Sequence, residues 1–171
     1  KWNLGLNFSR NKNKVISLNG GADIFGEVLG NTLPAMSLVR EGYPIGVFFG
    51  YLENGYTESG QIVYRDLDNN GTINALDRTV IGDPNPNFIV GLNSTMSYKN
   101  FTLNFILTAI QGQDILNYNL SNIGDGFSFG INQISDVLNN YWTPENTNAR
   151  YPKISKTTRY LGSDRFIEDA S

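Results

Sequence analysis

The stretch FIVGLNSTMSYKNFTLNFILTAI, residues 88–110, decides the fold because two alternating segments flank a two-residue turn. In its first half, Phe88–Tyr98, apolar side chains occupy every second position and small or polar ones the others, with one exception on each face. After Lys99 and Asn100 the alternation resumes over residues 101–110. A period of two is typical of a β-strand with one apolar and one polar face. The stretch therefore predicts a β-hairpin.

Further elements follow from the same periodicity on either side of the hairpin. Residues 1–9 alternate as cleanly as the hairpin does, and segments 45–52 and 62–64 are also predicted to be strands. Apolar residues recur at helical spacing over residues 131–141, which predicts one short helix there. Near Tyr160 the pattern favours a strand only weakly. The expected fold class is all-β, with antiparallel strands and hairpins joined by long loops.

The apolar face of the hairpin fits two environments. In a soluble sandwich it would be covered by a second sheet, whereas in a membrane barrel it would face lipid and the polar face would line a lumen. Aromatic residues mark the strand ends at Phe88, Tyr98 and Phe101, as they do at membrane interfaces. A two-residue turn at one end and long loops at the other are also typical of an outer-membrane barrel. The alternative is a soluble, secreted, calcium-stabilised β-sandwich that binds glycans.

Composition excludes several classes of function. The 171 residues contain no cysteine and no histidine, so disulfides, most zinc sites and the Ser-His-Asp and Cys-His catalytic arrangements are excluded within this chain. The net charge of -3 provides no basic surface for nucleic acid. Without a nucleophile and base pair, the chain is expected not to be an enzyme. The sequence contains no run of about 18 apolar residues, so it predicts no membrane-spanning helix.

The twelve residues 66–77 have the spacing of an EF-hand-type calcium loop, with oxygen-bearing side chains at positions one, three, five, nine and twelve and Gly71 at position six. The acid at position twelve is aspartate rather than glutamate, and the flanks do not predict helices. The alternative is a cluster of turn residues that bind only their own backbone. The sequence predicts a structural Ca²⁺ held by the side chains of Asp66, Asp68, Asn70, Asn74 and Asp77 and by the carbonyl of Thr72.

The segment 111–152 is too long for an ordinary loop, which suggests a functional role. Flat aromatic side chains stack on sugar rings and anchor protein interfaces, so its aromatic residues are candidates for contact with substrate or a partner protein. The alternative is that they form the small core that folds the loop. The candidates are Tyr118, Phe127, Phe129, Tyr141 and Trp142.

Several uncommon motifs occur in a characteristic order. They are GYPIGVFFGY at 42–51, DLDNNGTI at 66–73, the pair Asp77 and Arg78, IGDPNP at 81–86, QGQDI at 111–115 and YWTPEN at 141–146. In their order and approximate spacing the chain resembles the C-terminal barrel region of the SusC/RagA-type TonB-linked outer membrane proteins. The resemblance covers most of the chain.

The resemblance implies a parent that is a large plugged β-barrel of Bacteroidetes outer membranes, with long loops outside the cell. Such proteins import glycan fragments or peptides, work with a SusD-like surface lipoprotein and draw energy through TonB. Residues 1–171 would then be part of the C-terminal barrel domain, in contact with outer-membrane lipid and with the oligosaccharide or peptide. The plug, the TonB-contacting segment and the terminal strands are expected to lie outside these residues.

Overall fold

Antiparallel strands dominate the computed structural model, which describes residues 1–28, 33–123, 132–155 and 160–171. Within these residues no helix is long and apolar enough to cross a membrane. The strands are β1 (Trp2–Ser9), β2 (Ile24–Phe25), β3 (Ser37–Val39), β4 (Val47–Gly50), β5 (Glu53–Tyr56), β6 (Ile62–Tyr64), β7 (Thr79–Gly82), β8 (Phe88–Tyr98), β9 (Phe101–Gln111), β10 (Asp114–Leu116) and β11 (Ile167–Asp169). The helices are α1 (Tyr118–Ile123) and α2 (Ser135–Asn139), with 3₁₀ turns at Ala75–Asp77 and Asp164–Phe166.

The predicted hairpin is confirmed as the pair β8 and β9. The two strands run antiparallel over their whole length, with Phe88 opposite Gln111 and Tyr98 opposite Phe101. Lys99 has a φ of 51°, the left-handed conformation that two-residue hairpin turns require. Each strand has 11 residues, about twice the usual length of a strand in a soluble protein.

The predicted N-terminal strand is confirmed as β1, and its partner lies far along the chain. It pairs antiparallel with the other edge of β8, placing Trp2 opposite Met96 and Ser9 opposite Ile89. The resulting sheet has the order β1-β8-β9 and closes no barrel.

This register collects the apolar side chains of all three strands on one face. Those of β1 and most of those of β9 are exposed, Leu6 by 74% and Phe101 by 80%, while Phe88, Val90 and Leu92 of the central strand are half-buried, so among the described residues no second layer covers this face. Its polar member, Ser94, accepts a hydrogen bond from Trp2 Nε1 at 2.9 Å and is itself buried. That bond satisfies both polar groups on an otherwise apolar surface.

Small residues alternate with amides on the opposite face. Gly5 lies across from Asn93 and Asn7 across from Gly91. A Cβ atom on Gly5 would lie 2.0 Å from Asn93 Oδ1, and one on Gly91 would lie 2.3 Å from Asn7 Oδ1. Each amide therefore occupies the space that a glycine leaves on the neighbouring strand.

The buried apolar residues belong to segments outside the β1-β8-β9 sheet. β2, β3, β4 and β7 form a four-stranded sheet, while β5 pairs with β6 and β10 with β11. One core cluster contains Leu33, Met36, Tyr160 and Phe166, and a second contains Leu38, Val47 and Phe49.

Three predicted elements differ from the structure. The helix expected over residues 131–141 is reduced to α2, and its first predicted residue lies outside the described residues. The strand expected over 45–52 is β4, which is shorter at both ends. Tyr160 lies in no strand, because its ring packs edge-on against Phe166 at 5.4 Å in the core, and the nearby strand is β11.

Candidate functional site

The predicted calcium loop connects β6 to β7. Two residues in left-handed conformations, Asn69 at φ 58° and Gly71 at φ 81°, allow the chain to reverse within it. The loop ends in the 3₁₀ turn Ala75–Asp77, whose N-cap is Asn74. The predicted ligand positions therefore lie on one tight turn and one capped helical turn.

Three carboxylates of the loop converge. Oxygen atoms of Asp66, Asp68 and Asp77 lie within 4.8 Å of one another. Ca²⁺ takes oxygen ligands at 2.3–2.6 Å, so two ligands on one ion are separated by at most about 5 Å. The donor set therefore fits a hard divalent cation in chemistry and in spacing.

Asp77 also has a structural role. Its side chain is fully buried, with Oδ1 accepting from the Leu67 N–H at 2.7 Å and Oδ2 from the Asn74 N–H at 2.8 Å. The Asn74 side chain in turn caps the 3₁₀ turn: its Oδ1 accepts from the Leu76 N–H at 2.8 Å. This reciprocal capping ties the two ends of the loop together with or without a metal.

Asp66 and Asp68 are held by the tip of the loop. Asp66 Oδ2 accepts from the Gly71 N–H at 2.7 Å, and its Oδ1 accepts from the Asn70 N–H at 3.2 Å. The Gly71 bond is the main reason that the pKa of Asp66 lies below its ordinary value. Asp68 accepts from the backbone and the side-chain amide of Asn70 at 3.1 and 2.7 Å. Both carboxylates are thus oriented by the loop, and the lowered pKa keeps Asp66 ionised near neutral pH.

The remaining predicted ligands make bonds within the loop. Asn70 Oδ1 accepts from the Thr72 N–H at 2.8 Å, and the Thr72 carbonyl accepts from Asn74 Nδ2 at 3.0 Å. A carbonyl oxygen has a second lone pair, so these bonds leave capacity for a cation. Of the six predicted ligands, the three carboxylates are those whose oxygen atoms converge within 4.8 Å.

The aromatic candidates lie in different surroundings. Tyr118 is half-buried against the Tyr160 and Phe166 cluster. Trp142 is only 6% exposed and lies so close to Gly60 that a Cβ there would be 2.4 Å from Trp142 Cε3. For Trp142 the burial favours the alternative in which the aromatics fold the loop. Phe127 and Phe129 lie outside the described residues.

Tyr141 lies beside an open groove. It is half-buried, bridges Tyr151 through the backbone and lines an open groove of about 600 Å³. The groove also contains Pro144, Glu58 and Lys153, so its surface is mixed in character. A role in contact with substrate or a partner stays a prediction for these residues.

An ion pair that the sequence does not predict holds the loops together. Arg165 Nε donates to both carboxylate oxygens of Glu53, at 2.9 and 3.0 Å, and Ser163 Oγ donates to the same carboxylate at 2.7 Å. Burial alone would lower the pKa of Arg165, but the bonds and charge of Glu53 raise it instead. The partners are 112 residues apart, and no local pattern signals the pair.

The same network reaches two tyrosines. Arg165 Nη2 donates to Tyr56 Oη at 2.9 Å, and the guanidinium lies 5.5 Å from the ring centroid of Tyr160. The network thereby fastens β5 to the segment that precedes β11.

The chain matches no protein-family profile, but relatives and a solved structure cover nearly all of it. It is 36% identical over 188 aligned residues to TonB-dependent receptor P3 of Formosa agariphila, and this alignment covers 99% of this chain and 18% of that receptor. It is 29% identical to TonB-dependent receptor SusC of Bacteroides thetaiotaomicron, with 99% and 17% covered. The RagAB peptide importer in its open-open state has the same fold with a TM-score of 0.70 at 21% identity, covering 99% of this chain and 19% of that one.

The fold and these relatives define the class as TonB-dependent receptors, which are not enzymes. Within that class the chain belongs to the SusC/RagA type, so the resemblance seen in its motifs is confirmed. It spans less than a fifth of the length of the relatives that it matches.

Proposed function

We propose that residues 1–171 are part of the C-terminal barrel domain of an outer-membrane TonB-dependent transporter that imports glycan fragments or peptides. The uncovered apolar face of the β1-β8-β9 sheet carries this proposal. A chain that has buried cores elsewhere but leaves its longest strands apolar and exposed requires an apolar environment for them. Lipid supplies that environment in an outer-membrane barrel.

The dimensions of the sheet support a membrane position. Phe88 and Tyr98, the aromatic ends of β8, are separated by ten residue steps of about 3.3 Å, or about 33 Å along the strand. A tilt of about 40° reduces this to about 25 Å, the height of the apolar band in outer-membrane barrels. The aromatic ends would then lie at the two interfaces.

The opposite face suits a polar lumen. Its side chains are uncharged and mostly amides and hydroxyls, including Asn3, Asn93, Thr95, Asn104 and Thr108, with Ile89, Ile106 and Ile110 as apolar exceptions. On this proposal these groups hydrate the lumen, contact a plug or hydrogen-bond a passing solute. The loops that contain the cores and the Asp66–Asp77 turn would lie outside the cell, above the barrel.

A soluble sandwich is the weaker alternative. It requires a second sheet over the apolar face of β1, β8 and β9, and none of the described strands provides one. An exposed apolar face of this extent is uncommon in soluble monomeric proteins and favours aggregation in water.

Labels on neighbouring residues of β9 test the membrane position. In the full-length receptor reconstituted into liposomes, a bimane label at Leu107→Cys is expected to be quenched by nitroxide-labelled acyl chains, because Leu107 lies on the apolar face. The matched label at Thr108→Cys is expected to respond to an aqueous quencher instead. Equal responses at both positions would refute the assignment of faces.

We further propose that residues 66–77 hold a structural Ca²⁺. The converging carboxylates of Asp66, Asp68 and Asp77 support this proposal, together with the negative charge of the exposed loop. When bound, the ion would neutralise the repulsion among the three carboxylates. Calcium would thereby stiffen an external loop rather than switch it.

Isothermal titration of the full-length receptor with Ca²⁺ tests the metal site. Heat is expected for the unmodified receptor and is expected to be lost in Asp66→Ala. Glu145→Gln removes an exposed carboxylate outside the loop and serves as the matched control. Absence of heat, or unchanged heat in Asp66→Ala, would contradict the proposal.

The partners are proposed from the relationship to SusC and RagAB. A SusD-like surface lipoprotein would contact the external loops, and TonB would act through parts of the receptor outside this chain. Tyr141 and the groove beside it are the candidate contact surface. In a pull-down with the lipoprotein, Tyr141→Ala is expected to reduce association, and Leu138→Ala, an exposed apolar side chain outside the groove, serves as the control. Unchanged association of Tyr141→Ala would remove the groove from the interface.

A further inference from the structure

The exposed face of β1 changes from apolar to basic where the strand leaves the sheet. Its even-numbered positions carry Trp2, Leu4, Leu6 and Phe8 on the apolar face, and the next three even-numbered positions are Arg10, Lys12 and Lys14. All three basic residues are exposed. A stripe of apolar, then aromatic, then cationic side chains is typical of a segment that passes through a membrane interface.

An aromatic pair marks the boundary between the two halves of this stripe. The rings of Phe8 and Phe88 stack with centroids 5.8 Å apart and an interplanar angle of 26°. Phe88 begins β8 and Phe8 lies next to the end of β1, so the pair lies at the edge of the sheet that adjoins the long loops. The basic residues therefore follow directly after the aromatic boundary.

Two residues that alternate with the cations, Asn13 and Val15, anchor the segment after β1. The Asn13 side chain donates to Asn85 Oδ1 at 3.0 Å and accepts from the Ile45 N–H at 2.7 Å. The Val15 N–H donates to the Tyr43 carbonyl at 2.9 Å. These bonds fix the backbone against the loops and leave the cationic side chains exposed.

The three cations are not neutralised by the described part of the chain. Its ion pairs involve other arginines, Arg40, Arg150 and Arg165. Asp83 shares a small cavity with Arg10 and Lys12, but its Oδ1 accepts two bonds from Asn85, at 2.9 and 2.7 Å. The three exposed cations therefore form no ion pair within the described residues, although the chain as a whole has a net charge of -3.

We propose that Arg10, Lys12 and Lys14 form a surface that binds phosphorylated lipid headgroups of the leaflet around the loop end of the barrel. The proposal rests on the membrane position of the β1-β8-β9 sheet. With the apolar face in the hydrocarbon and Phe8 at the interface, the next residues lie at the depth of the headgroups. Guanidinium and ammonium groups at that depth form charge-assisted hydrogen bonds with phosphate.

Lipid retention by the full-length receptor tests the surface. The receptor is reconstituted into phosphatidylcholine nanodiscs that contain a small fraction of diphosphorylated lipid A, and bound lipid A is measured by native mass spectrometry. Each neutralised cation is expected to weaken binding about fivefold, and the triple variant Arg10→Gln, Lys12→Gln, Lys14→Gln by roughly 100-fold. Lys99→Gln, at the opposite end of the same sheet, is the matched control and is expected to leave binding unchanged.

Three further arms make the test decisive. The variant Arg10→Lys, Lys12→Arg, Lys14→Arg keeps the charge and is expected to retain the lipid. Dephosphorylated lipid A is expected to bind no better to the native receptor than to the triple variant. Free inorganic phosphate is expected not to compete, and competition by it would overturn the assignment to a lipid in favour of a simple anion site.

The failure of this inference is distinguishable from failure of the proposed function. If the Leu107→Cys label is quenched by lipid but the triple variant retains lipid A as the native receptor does, the basic surface is refuted and the membrane position stands. If the label is not quenched by lipid, the membrane position itself is refuted.

Discussion

Replacing Asp77 by alanine is expected to open the 66–77 loop even when no metal is bound. The buried carboxylate accepts from the N–H groups of Leu67 and Asn74, at 2.7 and 2.8 Å. Hydrogen bonds to a charged group contribute about 1.5–3 kcal/mol each, so the two together contribute at least about 3 kcal/mol. A loss of about 3 kcal/mol from the free energy of local opening corresponds to a roughly 150-fold larger open population.

Hydrogen exchange of the full-length receptor in detergent measures this opening. In the presence of a chelator, amides of the loop are expected to exchange roughly 150-fold faster in Asp77→Ala than in the unmodified receptor. Asp68→Ala is expected to change exchange little under the same conditions, because Asp68 is exposed and bonds only to Asn70. The comparison separates the structural role of one carboxylate from the role that both share toward a metal.

Calcium adds a second and independent comparison. At a Ca²⁺ concentration ten times the Kd, the unmodified loop is expected to gain about 1.4 kcal/mol, or about tenfold slower exchange. Asp68→Ala is expected to lose this gain, and Asp77→Ala to lose both the gain and the underlying protection. Exchange in Asp77→Ala within threefold of the unmodified receptor, measured with chelator, would refute the capping role derived from the two bonds.

Three further changes test other parts of the structure. Gly60→Ala is expected to destabilise the loop region by at least about 2 kcal/mol, seen as faster proteolysis, because Gly60 has a φ of 81° and its new Cβ would collide with Trp142. Arg165→Met is expected to cost about 3 kcal/mol by leaving Glu53 unpaired, and adding Glu53→Gln is expected to restore part of it; no recovery would contradict the pairing. Because the pKa of Asp66 is lowered in the folded loop, its stabilisation is present above about pH 4 and is lost as the pH falls through the folded pKa, which hydrogen exchange corrected for intrinsic rates would show as lost protection only in acid.

Local periodicity predicted the parts of the fold that depend on neighbouring residues. Successive side chains along a strand point to opposite faces, so the alternation along Phe88–Tyr98 and along residues 1–9 assigns each residue to a face before any partner strand is known. The loop 66–77 was recognisable for the same reason, since its donors follow at fixed offsets. Spacing alone did not show that Asp77 caps the 3₁₀ turn, because position twelve of such a loop suits a ligand and a cap equally.

Contacts between distant segments were beyond the sequence. The pairing of β1 with β8 joins strands separated by seven described elements, six strands and a 3₁₀ turn, and either edge of the hairpin would have satisfied the apolar face of β1. The pair of Glu53 with Arg165 depends on two loops meeting in space. The helix predicted over residues 131–141 is longer than α2, because the spacing of apolar residues indicates which side chains are buried and not how far the helical backbone extends. Val137, for example, is buried as the spacing predicts.

The distribution of burial is the inverse of that expected for a soluble β-protein. In water, long regular strands form the core and loops are exposed. Here the longest strands, β8 and β9, contribute no residue to either core cluster, while shorter strands and connecting segments contribute Leu33, Met36, Leu38, Tyr160 and Phe166. These parts of the chain therefore fold by excluding water, whereas the long strands carry apolar side chains that nothing in the described chain covers. On the proposed function, a surrounding apolar phase makes both halves favourable at once, and the change from Phe8 to Arg10 would mark the level at which that phase ends.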